Sequence, residues 1–255
     1  MLRPRLIPCL LLRDGRLVKT VRFRDPSYVG DPTNTIRIFD EMEVDELLFL
    51  DIGAGREGRT IDWKLLEGIA TECFMPFGYG GGVRTIEEMG RLYTLGAEKV
   101  VLNTAAYDNP ALVSRAAERF GSQSVVVSID VKADVGRPYV YVDGGRRRTA
   151  ADPLDFAKRM AEAGAGELLL TSIDRDGTFR GYDLALVERV ASAVSIPVIC
   201  CGGADSLEGA RAGIRAGASG AAVGSMVVYQ GKNRAVLINY PAPKELRAAF
   251  GAGST

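Results

Sequence analysis

Short apolar runs recur along the chain, separated by stretches with a different period. Runs at 6–12, 47–51, 76–80, 99–103, 125–130, 167–172, 197–201 and 220–224 have the length of buried strands. The stretches between them, such as 85–95 (TIEEMGRLYTL), place apolar residues at helical spacing. Pro110 and Pro153 suit first helical turns, and Gly96, Gly164 and Gly217 suit helix ends that precede a strand. Eight such units in 255 residues predict one α/β domain, a (β/α)8 barrel spanning 1–255. A doubly wound open sheet is the alternative, but it rarely needs eight evenly spaced strands.

The two halves of the pattern resemble each other. ELLFLDI at 46–52 matches ELLLTSI at 167–173, an offset of 121 residues. At the same offset, 75–105 matches 196–226. A duplicated half-barrel accounts for this, because closure of two four-stranded halves pairs every strand edge.

Composition narrows the chemistry. Apolar residues make up 47% and charged residues 25%, and Lys plus Arg equals Asp plus Glu at 32 each, so no net field favours nucleic acid or an acidic membrane. Arg146, Arg147 and Arg148 form the one basic run and read as a solvated loop rather than a phosphate clamp. The chain has no histidine, which removes Ser-His and Cys-His nucleophiles and imidazole metal sites; no metal and no cofactor are expected. Cys9, Cys73, Cys200 and Cys201 form no CxxC pair, consistent with reduced thiols in a cytoplasmic protein. Neither a signal peptide nor a run of about 18 apolar residues is evident.

In such barrels ligands sit at the C-terminal ends of the strands. There the first half places Gly80, Gly81 and Gly82 with Asn103 and Thr104, and the second half places Gly202 and Gly203 with Gly224 and Ser225. Glycine turns let backbone N–H groups approach an anion, and a helix start adds partial positive charge. Two opposed seats suit a phosphorylated small molecule with a phosphate at each end. The other reading is that these glycines only make tight strand-helix turns.

The segments IPCLLLRDGRLVK, GGGVRTIEE, VLNTAA, RFGSQSVVVSID, GAGELLLTSIDRDGTFRGYDL and SIPVICCGG carry a family resemblance. Together they resemble the cyclase subunit of imidazole glycerol phosphate synthase, from about Arg5 to Met226. That resemblance implies a barrel that receives ammonia along its axis from a glutaminase, adds it to a bis-phosphorylated ribulose-type substrate, and cleaves the product as a lyase. It implies substrate-binding roles for Lys19, Thr171, Asp176 and Gly177 beside the two glycine seats. Lys19 falls in a long first loop that resembles the family's mobile lid, or is simply exposed. Asp176 falls in an Asp-Gly pair that is alternatively an ordinary turn.

The resemblance also exposes a departure. The family uses two carboxylates across the mouth as general acid and base; one matches Asp130, and the other position holds Leu11. Leucine transfers no proton, and losing such a group typically costs ~10²–10⁴ in rate. It also removes a like charge that could raise the pKa of Asp130. Asp14 is expected to point into the loop rather than replace the missing group. Alternatively Asp130 itself is structural, bonding loop amides.

At the other end, Arg5, Glu46, Lys99 and Glu167 each precede an apolar strand core and match the family's charged ammonia gate, or alternatively a salt-bridged plug. Ammonia is nucleophilic only when unprotonated, and an apolar interior keeps it so and concentrates it at the far mouth. The divergent segment 227–255, with GKNRAVLINYP, resembles the branch of the family associated with amidation of surface-polysaccharide sugars. Three readings stay open: an ammonia-channelling subunit serving a sugar amidotransferase of lipopolysaccharide biosynthesis, a cyclase of histidine biosynthesis, and a barrel that senses a bis-phosphate without turning it over.

Overall fold

The computed structural model describes residues 4–54, 59–231 and 233–251. Lys232 and 252–255 of the divergent tail therefore lie outside the described residues. Eight parallel strands form the barrel: β1 (Arg5–Arg13), β2 (Leu47–Asp51), β3 (Phe77–Gly80), β4 (Lys99–Leu102), β5 (Val125–Asp134), β6 (Glu167–Ser172), β7 (Val198–Cys201) and β8 (Gly220–Val223). Each pairs with its sequential neighbour, and β8 closes on β1 through the register Arg5↔Gly220 to Pro8↔Val223. The structure is thus the (β/α)8 barrel that the alternation of strand and helix periods predicts.

Period-two alternation along the strands divides the apolar residues into two layers. Outward residues such as Leu6, Leu10, Leu47 and Phe49 join the large core beneath the helices. Inward residues, among them Ile7, Leu48, Val126, Leu169 and Ile199, form a separate cluster inside the barrel.

The internal repeat reaches the helix caps. Asp31 and Asp152, Asp62 and Asp183, and Thr85 and Ser206 are each 121 residues apart and cap equivalent helices. Asp62 and Asp183 share the same backbone angles (φ −79°, ψ 84°) and accept amide bonds from Leu65 and Leu186 at 3.0 and 3.1 Å.

Several strands lie outside the predicted pattern. Arg16–Val21 folds back on β1 with Leu11↔Val18, and Arg24–Gly30 pairs with it in turn. The long first loop is therefore an ordered β-hairpin over the mouth. Arg24–Gly30 (RDPSYVG) has no apolar alternation, so only its pairing makes it a strand. Beyond β8, the amides of Leu237 and Asn239 donate to Val228 and Val227 carbonyls, and the Tyr240 hydroxyl donates to the Leu6 carbonyl at 2.8 Å. The tail thus runs from the mouth back to the opposite face, where the helix Pro243–Phe250 buries Leu246 against Leu207–Arg215. Among the described residues no helix is long and apolar enough to cross a membrane.

Candidate active site and charged entrance

A cavity of about 470 Å³ opens at the C-terminal ends of the strands. Leu11, Leu50 and Val101 make one part of its wall apolar, while Ser128, Asp130 and Thr171 make another part polar. Asp130 is 8% exposed; one carboxylate oxygen accepts from Ser128 Oγ at 3.1 Å and the other from Asn103 Nδ2 at 3.2 Å. Burial pushes its pKa up to about 7, with Asp176 adding to the rise and bonds from Ser128 and Thr171 opposing it. The partners of Asp130 are side chains rather than the loop amides of the structural alternative, and burial, aided by Asp176, raises its pKa without a carboxylate at position 11.

A raised carboxylate pKa has a defined stability consequence. Its contribution is complete below the unfolded value near 3.8 and is lost as pH rises through about 7. Asp130→Asn is therefore expected to stabilise the chain more at pH 8 than at pH 5, by an additional 2–3 kcal/mol or so. Denaturant unfolding of both proteins at the two pH values checks this; an equal difference at each pH would refute the buried, raised carboxyl.

Lys19 is neither exposed nor in an open loop. It is 6% exposed, its ammonium donates to the Cys9 carbonyl, and a Cβ on Gly224 would lie 2.6 Å from its Nζ. Burial lowers its pKa, against the opposing pull of Cys9, Asp176 and Cys201. Asp176 holds the hairpin down by accepting from Thr20 Oγ1 at 3.0 Å and Phe23 N at 3.4 Å, while its carbonyl accepts from Arg22 N at 2.9 Å. Gly177 sits directly against the Thr20 carbonyl, where a side chain has no room.

The glycine seats are repeat-related in geometry. Gly81 (φ 119°) abuts the Asp51 carbonyl and Gly202 (φ 88°) the Ser172 carbonyl, with Gly82 and Gly203 following at φ 73° and 103°. Both positions need glycine for the close backbone approach alone. Asn103 (φ −122°, ψ −88°) and Gly224 (φ −112°, ψ −86°) start the short helices Thr104–Asp108 and Ser225–Val228 in nearly the same conformation. The Thr104 hydroxyl accepts from Asp143 N at 2.9 Å, and Ser225 lines the cavity.

Some cavity residues escaped the sequence reading. Asp51, at the end of β2, accepts from the amides of Gly53 and Ala54 at 2.8 and 3.0 Å, and burial raises its pKa. Its carboxylate is thus turned into its own loop and is influenced by Arg59 and Asp62, so it does not take the place of a group at Leu11. An acidic residue ending a barrel strand was the signal for it. Cys9 and Cys201 also line the cavity, and their mutual interaction lowers the pKa of Cys9 and raises that of Cys201. Asp14 lies in the turn after β1, left-handed at φ 52° and bonded to Arg59 at 2.8 Å. Arg146, Arg147 and Arg148 are surface residues paired with Asp143, Asp108 and Asp134.

At the opposite face the four charged residues meet. Lys99 Nζ lies 2.9 Å from both Glu46 and Glu167, and Arg5 bonds the same two carboxylates. Burial opposes the charge on Arg5, but Glu167 and Glu46 overcome it and raise its pKa. The ring is closed, and the inward cluster of Ile7, Leu48, Val126, Leu169 and Ile199 lies between it and the cavity. The four charges thus pair with one another at the entrance, and the apolar layer stands between them and the cavity.

The family described as "Histidine biosynthesis protein" matches residues 5–234, which include the ring, the cavity and both glycine seats. The chain belongs to this family. Within the histidine biosynthesis family it is HisF-like. It is 51% identical over 94% of its length to a Pseudomonas aeruginosa protein provisionally named imidazole glycerol phosphate synthase subunit hisF2, covering 97% of that protein. A Leptospira interrogans protein, provisionally named subunit HisF of the same synthase, is 45% identical over 98% of the chain and is covered completely. The Myxococcus xanthus imidazole glycerol phosphate synthase subunit HisF is 47% identical, with 91% of each chain covered.

Proposed function

We propose that the chain is the ammonia-channelling subunit of a glutamine-dependent amidotransferase complex, with a surface-polysaccharide sugar as the final acceptor. The observation that carries this reading is an asymmetry. The ion-paired ring and apolar interior are present at one end, while Leu11 stands in the cavity where an acid/base partner for Asp130 is needed. In this reading a glutaminase docks on the ring face and opens Arg5, Glu46, Lys99 and Glu167. Neutral ammonia then crosses the apolar layer and leaves past Asp130 to an acceptor enzyme at the mouth. The two glycine seats, with Lys19 beside Gly224, hold a phosphorylated ligand that orders the mouth. With a pKa near 7, Asp130 accepts and returns protons at neutral pH but has no opposed partner with which to complete ring closure.

The test is reconstitution with a glutaminase and a sugar amidotransferase from the same organism. Glutamine hydrolysis is expected to rise when the barrel is added, and nitrogen to appear in the sugar amide. Robust imidazole formation from the bis-phosphorylated substrate, with no transfer to sugar, would establish the histidine-pathway reading instead.

A further inference from the structure

A second pocket, also of about 470 Å³, opens on the rim of the mouth. Arg22 and Arg24 from the hairpin, Lys132 from the end of β5, Arg180 from the loop after β6 and Arg234 from the tail converge on it, against only Asp25 and Asp174. This excess occurs in a chain whose formal net charge is zero. Among the described residues none of the five cations is in an ion pair, whereas Arg146, Arg147 and Arg148 all are. Asp174 is already engaged, accepting from Ala133 N at 2.9 Å.

The backbone around the pocket is also unusual. Of nine non-glycine residues with positive φ among the described residues, five lie in or beside it: Arg22, Phe23, Asp25, Phe179 and Arg234. Left-handed backbone at bulky residues is costly and concentrates where surrounding structure holds a functional loop in place. Unpaired like charges drawn round one concavity repel one another until an anion neutralises them. A single hairpin separates this pocket from the main cavity: Thr20 and Phe23 face the cavity, and Arg22 and Arg24 face the rim.

We propose that the rim pocket binds an organic diphosphate, the group on which activated sugars are carried, and so seats the acceptor beside the ammonia exit. This rests on the amidotransferase reading above for its purpose, though not for its chemistry. Arginine forks suit phosphate oxygens, the volume fits a small-molecule ligand, and five cations exceed what one phosphate needs.

Calorimetric titration of the full chain with UDP and with inorganic pyrophosphate tests the site. Both are expected to bind, more weakly as salt is added. Arg22→Ala and Arg180→Ala are each expected to weaken binding about tenfold while leaving the circular dichroism unchanged. Failure of both probes to bind would overturn the proposal, including the case in which only an acidic protein engages the arginines. Affinity unchanged in both variants would place the diphosphate in the barrel cavity and overturn it equally. If UDP binds as expected but the reconstituted complex transfers no nitrogen to sugar, the pocket stands and the amidotransferase reading fails.

Discussion

Leu11→Asp is expected to raise ammonia-dependent imidazole formation by ~10²–10⁴-fold. Leu11 and Asp130 line the same cavity, and Asp130 is already held by Ser128 and Asn103, so in the proposed reading the group to restore is a second proton carrier. The substitution has a cost. A second carboxylate beside the first raises both pKa values, so the variant should be less stable than the parent as pH rises above neutrality. Rates measured with an ammonium salt and the bis-phosphorylated ribulose-type substrate decide the matter. A parent already as fast as the variant would mean that leucine is no obstacle to the chemistry.

The second large effect is expected at the entrance. Glu167 touches both Arg5 and Lys99, so Glu167→Gln leaves two cations sharing Glu46 alone. Breaking a buried pair on one side typically costs 3–5 kcal/mol, and the partial exposure of the Arg5 side chain (29%) argues for the lower end, about 3 kcal/mol. Removing Arg5 as well, in R5M/E167Q, restores one cation to one carboxylate and should recover part of the loss. Denaturant unfolding of the two single variants and the double variant gives the coupling. Additive losses would show that the ring is a set of separate surface contacts. The proposed complex with a glutaminase would provide a second readout: a ring that no longer closes should release ammonia to solvent, detectable as glutamine hydrolysis outrunning amide formation.

The parts of this protein that were legible in its sequence are those governed by local periodicity. The eight strands announced themselves because inward and outward positions are both apolar in a closed parallel barrel, and the helices because one face alone is. Helix ends were visible as Gly96, Gly164 and Gly217 before the next strand. The charged ring was legible only through the family resemblance, which singled out four charges that each precede an apolar strand core.

What the sequence could not disclose is what depends on distant segments meeting. Arg24–Gly30 becomes a strand only because Arg16–Val21 offers it an edge. Lys19 reads as an exposed lysine until the hairpin lays it over the Cys9 carbonyl. The pKa of Asp130 follows from total burial, which no linear pattern encodes, and the rim pocket gathers cations from positions 22, 24, 132, 180 and 234 that share no motif. Chain periodicity by itself determined the barrel and its duplication, because those are fixed by which side chains must leave water. Tertiary closure alone decided which charges pair and which stay unpaired, because electrostatic energies depend on distance and burial across segments far apart in sequence.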